Sequence, residues 1–201
     1  MIEIKHPSSE ELKKAKEVFR KNEPRDLFYR LAVELVDLAI KGKKKFTIAE
    51  ALSLLLQTWN MAYYRFHHFD IKHYKKIEQL IENYRSEIML FHKRTILSLD
   101  ETDKNAITKI FKVFELVLRP VGAAKSLHLL APNFFPLWDR EIAKVYGVTL
   151  KPTGKNGENY WNFMKICREQ YKEFKENEIS DDNPLKAIDE YNYCHFTKHW
   201  I

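Results

Sequence analysis

The chain has 201 residues, of which 45% are hydrophobic and 13% aromatic, and this composition excludes intrinsic disorder. Its 34 Lys and Arg residues against 28 Asp and Glu give a net charge of +6, which permits a polyanionic partner. The two cysteines, Cys167 and Cys194, are too few for a disulfide framework, a four-cysteine zinc site or a four-cysteine iron–sulfur cluster.

The sequence carries no sign of targeting or of a cofactor. Residues 1–26 are dense in charge, and no run approaches the ~20 apolar residues of a membrane-spanning helix. We therefore predict a cytoplasmic or nucleoid-associated monomer with no membrane partner. Glycine loops that cradle nucleotide phosphates are missing from the sequence, and we expect no cofactor and no bound metal.

Helices account for the whole predicted fold. Only 5 glycines are present, and the alternating Val, Ile and Thr segments typical of strands are nearly absent, so we predict an all-α protein. In chain order, capping boxes, N-caps and prolines mark the helix starts. These starts are Ser8 with Glu11, Pro24 in a helix that Gly42 ends, Thr47 with Glu50, Asp100 with Asp103 in a helix through Leu118, and Asn183 with Pro184.

Hydrophobic periodicity adds two amphipathic helices and one buried helix. Apolar residues repeat at helical spacing over 71–88 and over 160–174. Residues 51–56 are apolar on every side, which predicts a central helix packed all round. The clearest linkers are 151–157 and 179–184.

The most informative stretch is 118–147, LRPVGAAKSLHLLAPNFFPLWDREIAKVYG. Pro120 breaks the preceding helix because it lacks an N–H and clashes with the previous turn. Val121 and Gly122 then predict a tight reversal into a short helix, 123–130. Backbone N–H groups at such a helix start suit a phosphate oxygen without reading any base.

A proline-bracketed aromatic loop, 131–139, follows the short helix. It ends at Asp139, which is placed to cap the next helix, 140–146. Gly147 is placed to end that helix.

The order of hairpin glycine, lysine, short apolar helix, proline loop and capping aspartate is similar to the signature of a known family. It resembles the helix-hairpin-helix DNA glycosylase superfamily of the endonuclease III type. Upstream, residues 52–66 (LSLLLQTWNMAYYRF) resemble that family's buried helix ending in Gln-Thr and the segment that penetrates the duplex. Together the two pieces cover about 45 residues, in the family's order.

The resemblance implies two helical lobes around a cleft and excision of a damaged or mismatched base flipped out of double-stranded DNA. Asp139 would stabilise the oxocarbenium-like charge that develops on the sugar. Lys125 would attack the same anomeric carbon and form a Schiff base, giving a bifunctional glycosylase and AP lyase. The iron–sulfur cluster of some relatives is ruled out by the cysteine count.

The resemblance further implies a base pocket with aromatic walls and a polar reader or wedge, together with phosphate contacts. The candidate walls are Trp59, Phe134 and Trp138, and the candidate readers or wedge are Gln57 and Asn60. The candidate phosphate contacts are Val121, Gly122 and Ala124 in the hairpin and Lys43, Lys44 and Lys45 in the basic run.

Two spacings depart from the family pattern. The family's catalytic lysine stands two residues after the hairpin glycine, a place that Ala124 takes here, and Lys125 follows it. One residue turns a helical side chain by about 100°. The interval from Lys125 to Asp139 is also shorter than usual by about one helical turn. Either the hairpin has one extra residue and Lys125 is in place, or Lys125 faces elsewhere and the protein is monofunctional or inactive.

Each candidate residue also has a purely structural interpretation. Asp139 is then an ordinary N-cap, Lys125 a solvated surface lysine, and the aromatic side chains core packing. A zinc site is not predicted from Cys167, Cys194, His195 and His199, because adjacent residues point about 100° apart on a helix. Three further histidines, His67, His68 and His73, are interpreted as polar surface.

We therefore predict two lobes, 1–46 with 148–201 and 47–147, the second carrying the hairpin (118–130) and the aspartate loop (131–139). The predicted function is DNA base excision. Two alternatives stay open: a non-catalytic helix-hairpin-helix DNA-binding protein, and an unrelated all-helical protein in which every motif is packing. Lyase chemistry requires that Lys125 and Asp139 line one cleft.

Overall fold

A computed structural model describes residues 6–42, 45–176 and 183–201. Within these ranges the secondary structure is helical with no strand, which confirms the all-α prediction. None of the helices described there has the length and apolar character needed to cross a membrane. The helices are α1 (Ser9–Asn22), α2 (Asp26–Ile40), α3 (Ile48–Trp59), α4 (Met61–Tyr64), α5 (Ile71–Asn83), α6 (Arg85–His92), α7 (Lys104–Leu130), α8 (Arg140–Val145), α9 (Gly157–Glu176) and α10 (Pro184–Asn192), with 3-10 turns at Ile96–Ser98 and Glu101–Asp103 and a π-turn at Tyr193–Thr197.

Hydrogen bonds confirm most of the predicted helix starts. Ser8 with Glu11 forms a capping box at α1, and Thr47 with Glu50 forms one at α3. In each box the hydroxyl accepts from the third residue's N–H, and that residue's carboxylate accepts from the cap's own N–H. The Asn183 side chain accepts from the chain at the start of α10.

The long helix predicted over 71–88 is two helices. α5 ends at Asn83 and α6 begins at Arg85, because Tyr84 (φ −115°, ψ 17°) leaves the helical region. The break lets Ile88 and Phe91 join the core. Similarly, Asp100 caps the short turn Glu101–Asp103, and α7 begins only at Lys104.

The helix predicted to be packed all round, 51–56, has one exposed face. Leu52, Leu55 and Leu56 are buried, but Leu54 is 42% exposed. Glu50 lies four residues before Leu54 and is also exposed, so a solvent-facing stripe runs along α3. The prediction was wrong because an apolar side chain carries no signal of its own exposure.

A sharp bend divides α7 into 104–118 and 120–130. At the bend Arg119 has φ 65° and ψ 169°, a backbone conformation for which glycine is strongly favoured, so it stores strain. The reversal predicted at Val121 and Gly122 therefore lies earlier. The reason is that the fixed φ of Pro120 suits the first position of the following helical segment.

One hydrophobic cluster runs through the described ranges. It includes Leu12, Val36, Leu52, Phe111 and Phe163, which belong to both predicted lobes. Helix α2 packs against α3, α1 against α10, and α7 against α9. The division into 1–46 with 148–201 and 47–147 stays a prediction.

Gly157 begins α9 where that helix approaches α7 closely. A Cβ at Gly157 would lie 2.9 Å from the Thr108 carbonyl oxygen and 3.3 Å from the Thr108 Cα. We expect Gly157→Ala to lower the free energy of unfolding by about 1–3 kcal/mol, because the backbone must shift. Urea denaturation measures this. In Gly42→Ala the Cβ meets no atom within 4 Å but φ is +64°, so that variant isolates the cost of a positive φ. Unchanged stability of Gly157→Ala would contradict the close approach.

Candidate active site

Lys125 and Asp139 line the same small pocket, which has a free volume of about 90 Å³. Lys125 comes from the second segment of α7, and Asp139 from the start of α8. The remaining polar lining is Glu23, Arg25, Asp189 and Tyr193, and the apolar lining is Phe19, Trp59, Leu137 and Trp138.

The Lys125 side chain is half-buried in the wall of the pocket. Its Nζ donates to the carbonyl oxygen of Trp59 and lies 5.8 Å from the centroid of the Trp59 ring. Burial lowers the pKa of Lys125 to about 8, against the opposing charge of Asp189. A substantial fraction of the amine is therefore neutral near pH 7.5, as a nucleophile requires. The interpretation of Lys125 as a solvated surface lysine is wrong.

The carboxylate of Asp139 is fixed through both oxygens. Its Oδ1 accepts from the Ile142 N–H at 2.9 Å, which is the predicted N-cap of α8. Its Oδ2 accepts from the Thr197 hydroxyl at 2.7 Å. Capping thus holds the carboxylate in one orientation at the wall of the pocket.

Two of the three predicted aromatic walls line the pocket. Trp59 stacks on Tyr29, with ring centroids 5.1 Å apart, and its Nε1 donates to the Arg25 carbonyl oxygen at 2.7 Å. Trp138 is 1% exposed and donates through Nε1 to the Pro120 carbonyl oxygen at 3.2 Å. The indole of Trp138 thereby ties the aspartate loop to the bend in α7.

Three predicted base-pocket residues lie away from the pocket lining. Phe134 is fully buried and stacks on Phe91 at 4.9 Å, with the Arg94 guanidinium 4.7 Å from its ring centroid. Gln57 lies on the exposed face of α3, and Asn60 is buried at the end of that helix. Phe134 is therefore core packing, which corrects its prediction as a wall.

The predicted phosphate contacts at the bend occupy different surroundings. Val121 lines an open groove together with Arg119, Arg140 and Lys151. Gly122 is buried, and a Cβ there would lie 2.6 Å from the Asn60 Nδ2, so a larger residue requires that amide to shift.

Ala124 is fully buried one turn inside the helical segment, where N–H groups bond along the helix. That burial removes it as a phosphate contact. Of the basic run, Lys45 is exposed, and Lys43 and Lys44 lie outside the described residues.

Sequence reasoning missed an ion pair at the pocket. Arg25 Nε donates to Glu23 Oε1 at 2.6 Å, and the Tyr193 hydroxyl donates to Glu23 Oε2 at 3.0 Å. Burial by itself raises the pKa of Glu23, but the hydrogen bonds and charge of Arg25 outweigh it, so the pKa of Glu23 is lowered. Tyr193 lies far along the chain from Glu23, so no local spacing signals this contact.

Asp189 on α10 was missed as well. The Asp189 side chain is 9% exposed and lines the same pocket as Lys125, whose charge is opposite to that of an Asp189 carboxylate. Burial raises the pKa of Asp189 to about 7, against the nearby charge of Lys186. In the sequence Asp189 is one acidic residue of an amphipathic helix, and nothing marks it as buried.

Metal-ligand clusters are not found in the described ranges, where no group of three or more His, Cys, Asp or Glu side chains could hold an ion. Cys167 and Cys194 are buried free thiols. Burial raises the pKa of Cys194 to about 12, which disfavours the thiolate that a metal requires.

Comparison with known proteins gives no family assignment. No protein-family model matches the chain, and neither a curated protein nor a solved structure matches it. The geometry of the pocket therefore carries the functional proposal.

Proposed function

We propose that this chain is a DNA N-glycosylase with AP-lyase activity, acting on a damaged or mismatched base flipped out of the duplex. The observation that carries the proposal is the pocket shared by the Lys125 amine and the Asp139 carboxylate, with Trp59 and Trp138 in its walls. A nucleophile, an anion and aromatic surfaces are the groups that base excision needs in one place.

The Lys125 amine supplies the covalent step. Its lone pair attacks the anomeric carbon, and the electron pair of the glycosidic bond leaves with the base. The imine that follows on ring opening is reducible by borohydride, which makes the intermediate detectable. The lowered pKa of Lys125, about 8, supports this role because a fully protonated amine has no free lone pair.

The Asp139 carboxylate supplies electrostatic stabilisation. Cleavage of an N-glycosidic bond places positive charge on the sugar, and a fixed anion beside that carbon lowers the barrier. The bonds from the Ile142 N–H and the Thr197 hydroxyl hold the carboxylate in place before the reaction begins. Little reorganisation is then needed in the transition state.

Binding of the duplex is assigned to the groove beside the bend in α7. Arg119, Arg140 and Lys151 line this groove with Val121. Arginine and lysine side chains bind backbone phosphates and make the affinity fall with salt. The net charge of +6 agrees with an anionic partner.

The same groove favours a second candidate function, a DNA-binding protein without catalysis. Such a protein needs the cations of the groove but no reactive pocket. It would bind duplex DNA with a steep salt dependence and release no base.

Borohydride trapping separates the two functions. The wild-type protein is mixed with duplexes carrying an abasic site, or an oxidised, a deaminated or an alkylated base, and reduced. We expect a covalent adduct and free base from at least one duplex. DNA binding without an adduct or free base would support the non-catalytic DNA-binding function. A protein that neither binds DNA at low salt nor reacts would have neither function.

Asp139→Asn is expected to lower base release by about 10²–10³-fold, since a preorganised electrostatic group is removed. Asparagine is as good an N-cap as aspartate, so the fold is expected to survive. Single-turnover base release measures the effect. Asp100→Asn, which changes an exposed capping carboxylate elsewhere, is the control. Base release by Asp139→Asn at the wild-type rate would contradict the role of Asp139.

A further inference from the structure

Asp189 is a buried carboxylate with no part in the chemistry described above. It lies on α10 and faces the pocket that Lys125 and Asp139 line. Carboxylates are almost never this buried unless they are paired or have a function, so its charge balance is informative.

The cation nearest in sequence to Asp189 is shared among three carboxylates. Lys186 Nζ lies 2.9 Å from Glu190 Oε1, 3.5 Å from Asp26 Oδ1 and 4.0 Å from Asp189 Oδ2. Glu190 therefore holds the short hydrogen bond, and Asp189 has the longest of the three contacts. Asp26 has a second cation in Arg30, 3.4 Å away, but Lys186 remains shared with the buried Glu190, so Asp189 is poorly compensated in its charged form.

The second cation that acts on Asp189 is Lys125, across the pocket. Asp139 and Glu190 surround Asp189 with negative charge, whereas Arg25 adds positive charge at Lys125. These neighbours favour the neutral form of both groups. The pKa of about 7 for Asp189 and of about 8 for Lys125 agrees with an easy exchange of one proton between them.

We propose that Asp189 takes the proton of the Lys125 ammonium, directly or through one water, and delivers it to the departing base, so that the pocket selects uncharged modified bases. This inference rests on the proposed glycosylase function. The proton leaves Nζ of Lys125 for a carboxylate oxygen of Asp189, and the freed lone pair forms the Nζ–C1′ bond. The C1′–N bond breaks, its electron pair goes to the base nitrogen, and the proton moves from Asp189 to the base.

The substrate class follows from the charge of the leaving base. An uncharged oxidised or deaminated base would leave as an anion, and a general acid that protonates it lowers this barrier. A purine alkylated on a ring nitrogen already carries a positive charge and leaves neutral without an acid. An acid in the pocket is therefore useful only for uncharged bases.

Asp189→Asn tests the inference with two DNA substrates. One duplex carries an uncharged lesion that the wild type excises, and the other carries an abasic site, from which no base has to leave. We expect base release from the first to fall by about a hundredfold or more, as for the loss of a general acid, with the borohydride adduct on the second retained. Asp37→Asn, which removes a carboxylate charge on α2 outside the pocket lining, is expected to keep both activities.

The pH profile of the wild type tests the same inference without any variant. Base release needs a protonated Asp189 and a neutral Lys125, so its rate is expected to peak between about pH 7 and about pH 8 and fall on both sides. Adduct formation at an abasic site needs only the amine, and should rise through this range without an alkaline decline.

Three results would overturn the role of Asp189 while leaving the glycosylase intact: base release without an alkaline decline, equal loss of both activities in Asp189→Asn, or undiminished base release in that variant. Preferred excision of cationic alkylated purines by the wild type would overturn the assigned substrate class. Failure of the glycosylase proposal looks different, because the wild type would then give no adduct and no free base from any duplex.

Discussion

Lys125→Gln is expected to abolish the adduct that borohydride traps between the wild-type protein and DNA carrying an abasic site. The amide of glutamine has no nucleophilic lone pair, so no imine forms. It keeps an N–H donor for the Trp59 carbonyl oxygen, which the Lys125 amine satisfies in the wild type. Folding is therefore expected to survive. Gel electrophoresis of the reduced mixture measures the adduct.

Lys112→Gln is the matched control for this experiment. Lys112 is an exposed lysine on the first segment of α7, and its replacement is expected to leave the adduct at the wild-type level. An adduct of undiminished yield in Lys125→Gln would show that another amine of the chain is the nucleophile, and the assignment of Lys125 would be wrong.

Acid is expected to destabilise the protein strongly through His128, which is fully buried. Its Nδ1 lies 2.7 Å from the Phe135 carbonyl oxygen, and its Nε2 lies 2.8 Å from the Tyr29 hydroxyl. A carbonyl oxygen only accepts, so Nδ1 carries the proton and Nε2 accepts from Tyr29. The neutral ring thus joins α2, the second segment of α7 and the aspartate loop.

Burial lowers the pKa of His128 from 6.5 to about 3. Below pH 6.5 the unfolded chain binds a proton at this histidine that the folded protein does not bind until about pH 3. The stabilisation is therefore complete above pH 6.5 and is lost as the pH falls towards 3, at about 1.4 kcal/mol per pH unit. Urea denaturation at several values between pH 7.5 and pH 4 measures this slope.

His128→Leu is expected to remove this part of the pH dependence. It should also lower the stability at pH 7.5 by about 1–3 kcal/mol, because the Phe135 carbonyl and the Tyr29 hydroxyl lose their partner. Tyr29→Phe keeps the buried imidazole and is expected to keep the slope. If wild type and His128→Leu show the same slope, the buried neutral histidine is refuted.

Local sequence signals predicted the helices well and their interruptions poorly. The capping boxes at Ser8 and Thr47 formed as expected, because each involves groups only three residues apart. The break at Tyr84 was missed, and the bend at Arg119 was predicted a few residues too late. In each case a residue without a turn signature leaves the helical backbone conformation.

The candidate site divides in the same way. The residue order after Gly122 singled out Lys125 and Asp139, which lie in one segment of about 30 residues, and both line the pocket. The sequence pattern did not show that Phe134 packs against Phe91, because an aromatic residue in the core and one in a pocket wall look the same in a sequence.

By itself the sequence determined the all-α class and the helix caps and singled out Lys125 and Asp139 as candidate site residues, since these depend on residue type and on neighbours a few positions away. Only the tertiary structure decided which groups share the pocket. Glu23, Arg25 and Asp189 reach Lys125 because α10 packs on α1 and α2 follows directly. Burial then sets the pKa of the Lys125 amine and of the Asp189 carboxyl, and burial is a property of the assembled fold, which no single segment possesses.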